Sequence, residues 1–170
     1  MKVAKTLPWS AETSGTKTAK GKSTEERVWA AVQGESGRPV SALLKELLSH
    51  ETTRAGKVTK MEITPHEDRN FLARQSVRFE VDPMPFVSVD WTETWAFSLL
   101  SGRASEPREI LGSYEKVDGT SHIEHLCGNF LITRARPSKS RIYIYEEAQA
   151  TGRSEDDTLN GILTTLKKLQ

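Results

Sequence analysis

The 170-residue chain has a single cysteine, Cys127. A disulfide within the chain is thereby excluded, and a Cys-based zinc site is not expected. One lone thiol fits a reducing compartment. Long hydrophobic runs are missing too. None approaches the roughly 20 apolar residues that cross a bilayer, so an integral membrane protein is not expected. Residues 1–22 hold five lysines and no apolar core segment of an export signal. A cytoplasmic location is therefore favoured unless such a signal has been removed. An excess of one charge is also lacking. The 24 Lys and Arg face 23 Asp and Glu, for a net charge of +1, which leaves no basic stripe of the kind nucleic-acid binders carry. There is no Gly-x-Ser-x-Gly elbow, no Walker loop and no Gly-rich dinucleotide fingerprint, so no cofactor is expected.

What the chain does contain is a long alternating stretch at residues 87–99, VSVDWTETWAFSL. Read with a period of two, Val87, Val89, Trp91, Glu93, Trp95, Phe97 and Leu99 share one face, and smaller or polar residues share the other. Successive side chains leave opposite sides of a pleated strand, so this is the pattern of a half-buried strand. Aromatics are only 7% of the chain, yet they collect in predicted strands. The one discord is Glu93, a carboxylate in the middle of the apolar face. A strand of this length with two tryptophans and an acid facing inward predicts a curved sheet around a core or cavity.

The remaining elements follow in order. Residues 1–15 are polar and are expected to be flexible, and Gly15 to Gly21 form a weakly marked edge strand. Ser23-Thr24-Glu25-Glu26 has the pattern of a capping box. It predicts a short helix through Val28, Trp29, Ala31 and Val32, stopped at Gly34. Pro39 suits a first helical turn, and Val40, Leu43, Leu44, Leu47 and Leu48 have the spacing of a second short helix. After Gly56 the period changes to two. Strands are predicted at 57–64, 70–81, 87–99, 108–117, 121–136 and 140–150. The turns between them fall at 65–68, 82–85, 101–107, Asp118-Gly119 and 137–139. A bulge is expected at Gly128, where the period slips. Ser154 caps a final helix that opens with Glu155, Asp156 and Asp157 and carries the stripe Leu159, Ile162, Leu163, Leu166 and Leu169.

This order requires the last helix to place its stripe on an apolar sheet face. Three stretches carry a resemblance to a known family. They are KGKSTEERVWAAVQ at 20–33, SYEKVDGTSHIEHLCGNFLITRAR at 113–136 with the following strand 141–145, and the helix 159–169. Together they resemble the START-like (Bet v 1, polyketide cyclase, SRPBCC) superfamily. The resemblance implies an α+β helix-grip fold: a curved antiparallel sheet wrapped around a long C-terminal helix, with two short helices near the N-terminus. It covers residues 16–170 as one domain. It further implies a cavity between the sheet and the last helix that holds a hydrophobic small molecule or lipid. Gln75, Trp91, Glu93, Trp95, Phe130, Leu159 and Leu163 are then the expected ligand-binding residues, with no catalytic residue and no protein partner assigned. Two alternatives remain open. One is a cyclase or hydrolase using Glu93 in the same cavity, and the other is an interaction module with a collapsed cavity.

Other chemistry-bearing residues have weaker support. An inward Glu93 must be neutral, paired or wetted, because an unpaired buried charge is costly. Gln75 on the neighbouring strand would share its polar spot. In His122-Ile123-Glu124-His125, His122 and Glu124 share a strand face while His125 points away, and no further His or Cys cluster supports them, so no metal site is expected. Cys127 reads as an inert thiol. Arg134, Arg136, Lys139 and Arg141 read as a solvated edge that discourages strand pairing.

Overall fold

The computed structural model describes residues 17–22, 27–49, 57–64 and 71–170. The segment 1–15, the capping-box residues 23–26 and the turn at 65–68 lie outside the described residues. The described chain runs β1 (Lys17–Lys22), β2 (Val28–Ser36), α1 (Val40–Ser49), β3 (Lys57–Thr64), β4 (Phe71–Met84), β5 (Val87–Arg103), β6 (Glu106–Gly119), β7 (Ile123–Arg136), β8 (Lys139–Ala150) and α2 (Glu155–Leu169). The strands form one antiparallel sheet of eight in the order β1-β2-β8-β7-β6-β5-β4-β3. This is the expected α+β helix-grip architecture. Strand β2 pairs with β8, not with β3, so early and late strands of the chain lie side by side.

The central hairpins are long, and their pairing is irregular in places. Register shifts interrupt β4–β5, β5–β6 and β7–β8. Each extra residue bends and twists the strand that carries it, which curves the sheet. The core is built on the concave face from Val28, Ala30, Val32, Val77, Phe79, Trp95, Phe97, Ile110, Phe130, Ile132, Ile142 and Ile144. Two helices complete it. In α1, Val40, Leu43, Leu44 and Leu47 are buried. In α2, Ile162, Leu166 and Leu169 are buried, while Leu159 and Leu163 are partly buried against the same core. Helix α2 packs across β2, β8 and β1. Gly34 permits the close approach, because a Cβ there would stand 3.2 Å from both Leu166 methyls. Ser36 Oγ ties the helix end to β2 by donating to the Leu169 carbonyl at 2.6 Å.

The structure corrects several expectations. Residues 28–34 are not a helix but most of strand β2, paired with β8 from Val28 to Ser36. The strand is buried on both faces except at Trp29 and Glu35. An apolar residue at nearly every position erases the period-two signal and mimics a buried helix turn. The loops expected at 82–85 and 101–107 are short. Strand β4 runs on to Met84, and β5 and β6 meet across a turn at Ala104 and Ser105. No bulge occurs at Gly128, where β6 and β7 pair without interruption from Glu109 opposite Thr133 to Glu115 opposite Cys127. The glycine makes room instead: a Cβ at 128 would lie 2.3 Å from the Tyr114 ring. The cationic turn at 134–141 joins β7 to β8, which are interior strands, so it guards no open edge.

Candidate functional site

A cavity of about 710 Å³ opens between the sheet and α2. Its sheet wall is contributed by Val81 of β4, Trp91 and Trp95 of β5, Tyr114 of β6, Ile123, Leu126 and Phe130 of β7, and Glu146 and Ala150 of β8. The opposite wall comes from the turn Thr151, Gly152 and Arg153 and from one face of α2. That face carries Asp157, Asn160, Gly161, Thr164, Thr165 and Lys168, with Ile162 beside them.

The sheet wall is an aromatic stack. Trp95 and Tyr114 are direct cross-strand partners, and their rings stack at 4.4 Å between centroids. Phe130 joins both, at 5.8 Å from Trp95 and 5.9 Å from Tyr114. Trp91 stacks on Phe79 at 5.5 Å. Offset ring pairs of this kind contribute about 0.5–1.5 kcal/mol each beyond the area they bury. The two indoles are held by Glu93, which is 0% exposed. One carboxylate oxygen accepts from the Trp91 indole at 2.7 Å and the other from the Trp95 indole at 2.9 Å. The misplaced acid of the sequence is thus the clamp behind the aromatic wall. Period two makes the arrangement possible: residues 91, 93 and 95 leave the same face of β5, so both indoles reach the acid between them.

Of the residues expected to bind a ligand, Trp91, Trp95 and Phe130 line the cavity. Glu93, Gln75, Leu159 and Leu163 are not among the lining residues. Gln75 is buried opposite Trp95, and its amide donates to the Leu48 carbonyl at the end of α1 at 2.9 Å. Leu159 and Leu163 turn toward the core flank of α2. The helix therefore presents its polar face, not its leucine stripe, to the cavity.

The polar centre of the cavity was missed by sequence reasoning. Glu146 is 2% exposed and faces inward from β8. It accepts hydrogen bonds from the Tyr114 hydroxyl and from the Arg153 guanidinium. Arg153 Nε also donates to Thr158 Oγ1 at 3.0 Å, so the first turn of α2 fixes the guanidinium. Burying a carboxylate beside apolar rings is tolerated because it is paired and hydrogen-bonded. The signal was present in the alternation of 142–150: Ile142, Ile144, Glu146 and Ala148 share one face, and Glu146 is its one charged member.

The other candidates lie elsewhere. His122 is exposed in the β6–β7 turn, and Glu124 accepts from Gln149 at 2.6 Å. His125 stands apart from both, beside Cys127 and Glu147 on the convex face. Burial, reinforced by the Glu147, Glu115 and Glu146 carboxylates, pushes the Cys127 thiol up to about 11. That is the opposite of an activated nucleophile. Arg134 pairs with Glu106 at 2.9 Å, and Arg141 approaches Glu35 at 3.8 Å.

The curved sheet, the gripped helix and the half-open cavity between them define the START-like, Bet v 1-like helix-grip fold. Similarity in structure extends over nearly all of the chain. The human StarD13 (DLC2) lipid transfer and protein localization domain matches with a TM-score of 0.63 at 13% identity, over 95% of this chain and 87% of that one. Human STARD10 matches with a TM-score of 0.54 at 11% identity, over 94% and 67%. A START superfamily protein from Mycobacterium smegmatis matches with a TM-score of 0.52 at 12% identity, over 83% and 92%. No family model and no curated protein matches the sequence. Among the described residues, no helix is long and apolar enough to cross a membrane.

Proposed function

We propose that the protein binds a hydrophobic small molecule or lipid that carries one polar group, seated in the cavity between the sheet and α2. The observation that carries this reading is the cavity itself. Its volume of about 710 Å³ falls in the range of roughly 300–1,000 Å³ occupied by small-molecule sites. It also combines a broad apolar wall with a few convergent polar groups. The aromatic rings of Trp91, Trp95 and Phe130 offer area for an acyl chain or ring system. The Tyr114–Glu146–Arg153 cluster offers both an acceptor and donors to one polar group of the ligand. The StarD13 domain, named for lipid transfer, has the same fold, which supports the reading by analogy.

A cavity of this size does not favour a collapsed interaction module. An enzyme using Glu93 is not favoured either, because both oxygens of that carboxylate hold indoles and the residue does not line the cavity. The test is a binding titration of the purified, delipidated chain with fluorescent fatty acids, lysolipids and sterols. Saturable binding of at least one class is expected, weakened tenfold or more by Phe130→Ala. Absence of saturable binding across all three classes would refute the reading.

A further inference from the structure

The convex side of the sheet, opposite the cavity, carries a second cluster. Cys127 of β7 and Glu147 of β8 are direct cross-strand partners. Their neighbours in sequence, Leu126 and Glu146, line the cavity, so Cys127 and Glu147 leave the other face. His125 lies two residues from Cys127 on that same face. A register shift between Ile123 and His125 re-aims the strand at this point. His125 Nε2 stands 3.4 Å from Cys127 Sγ and 3.1 Å from Glu147 Oε1. The three donor atoms all lie within 4.8 Å of one another.

We propose that His125, Cys127 and Glu147 form a binding site for a divalent transition-metal ion of the zinc class. Two geometric facts favour a metal over a nucleophilic relay. A relay needs the thiol on one imidazole nitrogen and the carboxylate on the other. Here the same nitrogen, Nε2, faces both. Donors that converge on one point are what a cation needs. Around an ion with bonds of about 2.0–2.3 Å, tetrahedral ligands stand about 3.3–3.8 Å apart, close to the two distances that His125 Nε2 makes to Cys127 Sγ and Glu147 Oε1. The mixed nitrogen, sulfur and oxygen set suits zinc rather than calcium or magnesium, which take oxygen alone.

The surroundings also orient the set. The Tyr145 hydroxyl donates to Glu147 Oε2 at 3.0 Å, which leaves Oε1 turned toward His125. Such outer partners fix the ligating atom. Arg27 Nη1 lies 3.4 Å from Oε1, and Arg27 Nε donates to Gln149 Oε1 at 3.3 Å. On metal binding the guanidinium yields Oε1 to the dication and stays on Gln149. The thiol exchanges its proton for a sulfur–metal bond, and that proton passes to water. Thiolate and carboxylate together then balance the two positive charges, and the fourth position is open to water.

The test uses the full chain without a histidine tag, reduced and stripped with chelator, then titrated with Co²⁺. One equivalent is expected to produce a thiolate-to-cobalt charge-transfer band that Zn²⁺ abolishes by displacement. Cys127→Ser should remove the band, His125→Ala should weaken binding at least tenfold, and Tyr145→Phe should weaken it by roughly tenfold. Because Cys127 is the only cysteine, the unaltered protein supplies a check that needs no variant. Zn²⁺ should slow alkylation of its thiol at least tenfold. No charge-transfer band, or alkylation indifferent to Zn²⁺, would overturn the proposal. So would Co²⁺ binding that persists unchanged in both Cys127→Ser and His125→Ala.

Discussion

The two walls of the cavity differ in how they are built. The sheet wall is aromatic and clamped from behind, with Trp91 and Trp95 both held by Glu93. The helix wall is polar, with Asp157, Asn160, Thr164 and Lys168 facing the cavity from α2. An apolar ligand alone would leave the helix wall wanting water, and a polar ligand alone would waste the rings. The contrast suits the proposed amphipathic occupant, whose apolar body would lie on the sheet. Glu146 marks the junction, bonded to Tyr114 of the aromatic wall and to Arg153 at the entry of the helix wall.

The comparison breaks most completely at Glu93. Replacing it by leucine leaves two buried indole N–H groups without their acceptor, at about 1–3 kcal/mol each. Urea unfolding should show the loss, and near-ultraviolet dichroism should show the two indoles loosened. Gly128→Ala comes next. Its Cβ would meet the Tyr114 ring at 2.3 Å, so the aromatic stack must shift, at about 1–3 kcal/mol for overpacking. Chemical denaturation measures the loss of stability, and ligand titration should show weaker binding.

Substitutions on the helix side sharpen the contrast rather than break it. Ser154→Ala removes the hydroxyl that accepts from the Asp157 amide and should cost about 1 kcal/mol. The pH dependence has a definite sign. Hydrogen bonds from Ser154 hold the Asp157 carboxyl below its ordinary value of 3.8. Its contribution is therefore present above 3.8 and is lost as pH falls through the lower folded value. The stability gap between the parent and Ser154→Ala, followed by urea unfolding, should narrow in acid. Smallest in stability is Asn160→Leu, at an exposed position, within about 0.5 kcal/mol. Its effect belongs to ligand choice, with competition titrations moving toward ligands that have smaller polar groups.

The same contrast explains what could be read from the sequence. Period two placed Trp91, Glu93 and Trp95 on one face, and the 3.6-residue period placed Leu166 and Leu169 in the core. Both follow from which way side chains leave the backbone. Strand β2 was misread because Val28, Ala30, Ala31 and Val32 are all buried, so no polar face was left to set a period. Leu159 and Leu163 were assigned to the cavity because a helix stripe reveals only which residues are apolar, not where on the sheet the helix rests. Glu146 stands out in the alternation of its own strand, but its partner on the aromatic wall comes from afar: Tyr114 is 32 residues away in the chain. Such a pairing depends on the β6–β7–β8 register and is invisible to local spacing.

Whether this cavity holds an amphipathic molecule is answered by native mass spectrometry of the freshly purified, untagged chain. A second charge-state series is expected, displaced by the mass of one lipid-sized molecule, recoverable by organic extraction and diminished in Phe130→Ala. A single series at the mass of the bare polypeptide, unchanged after incubation with fatty acids, lysolipids and sterols, would contradict it.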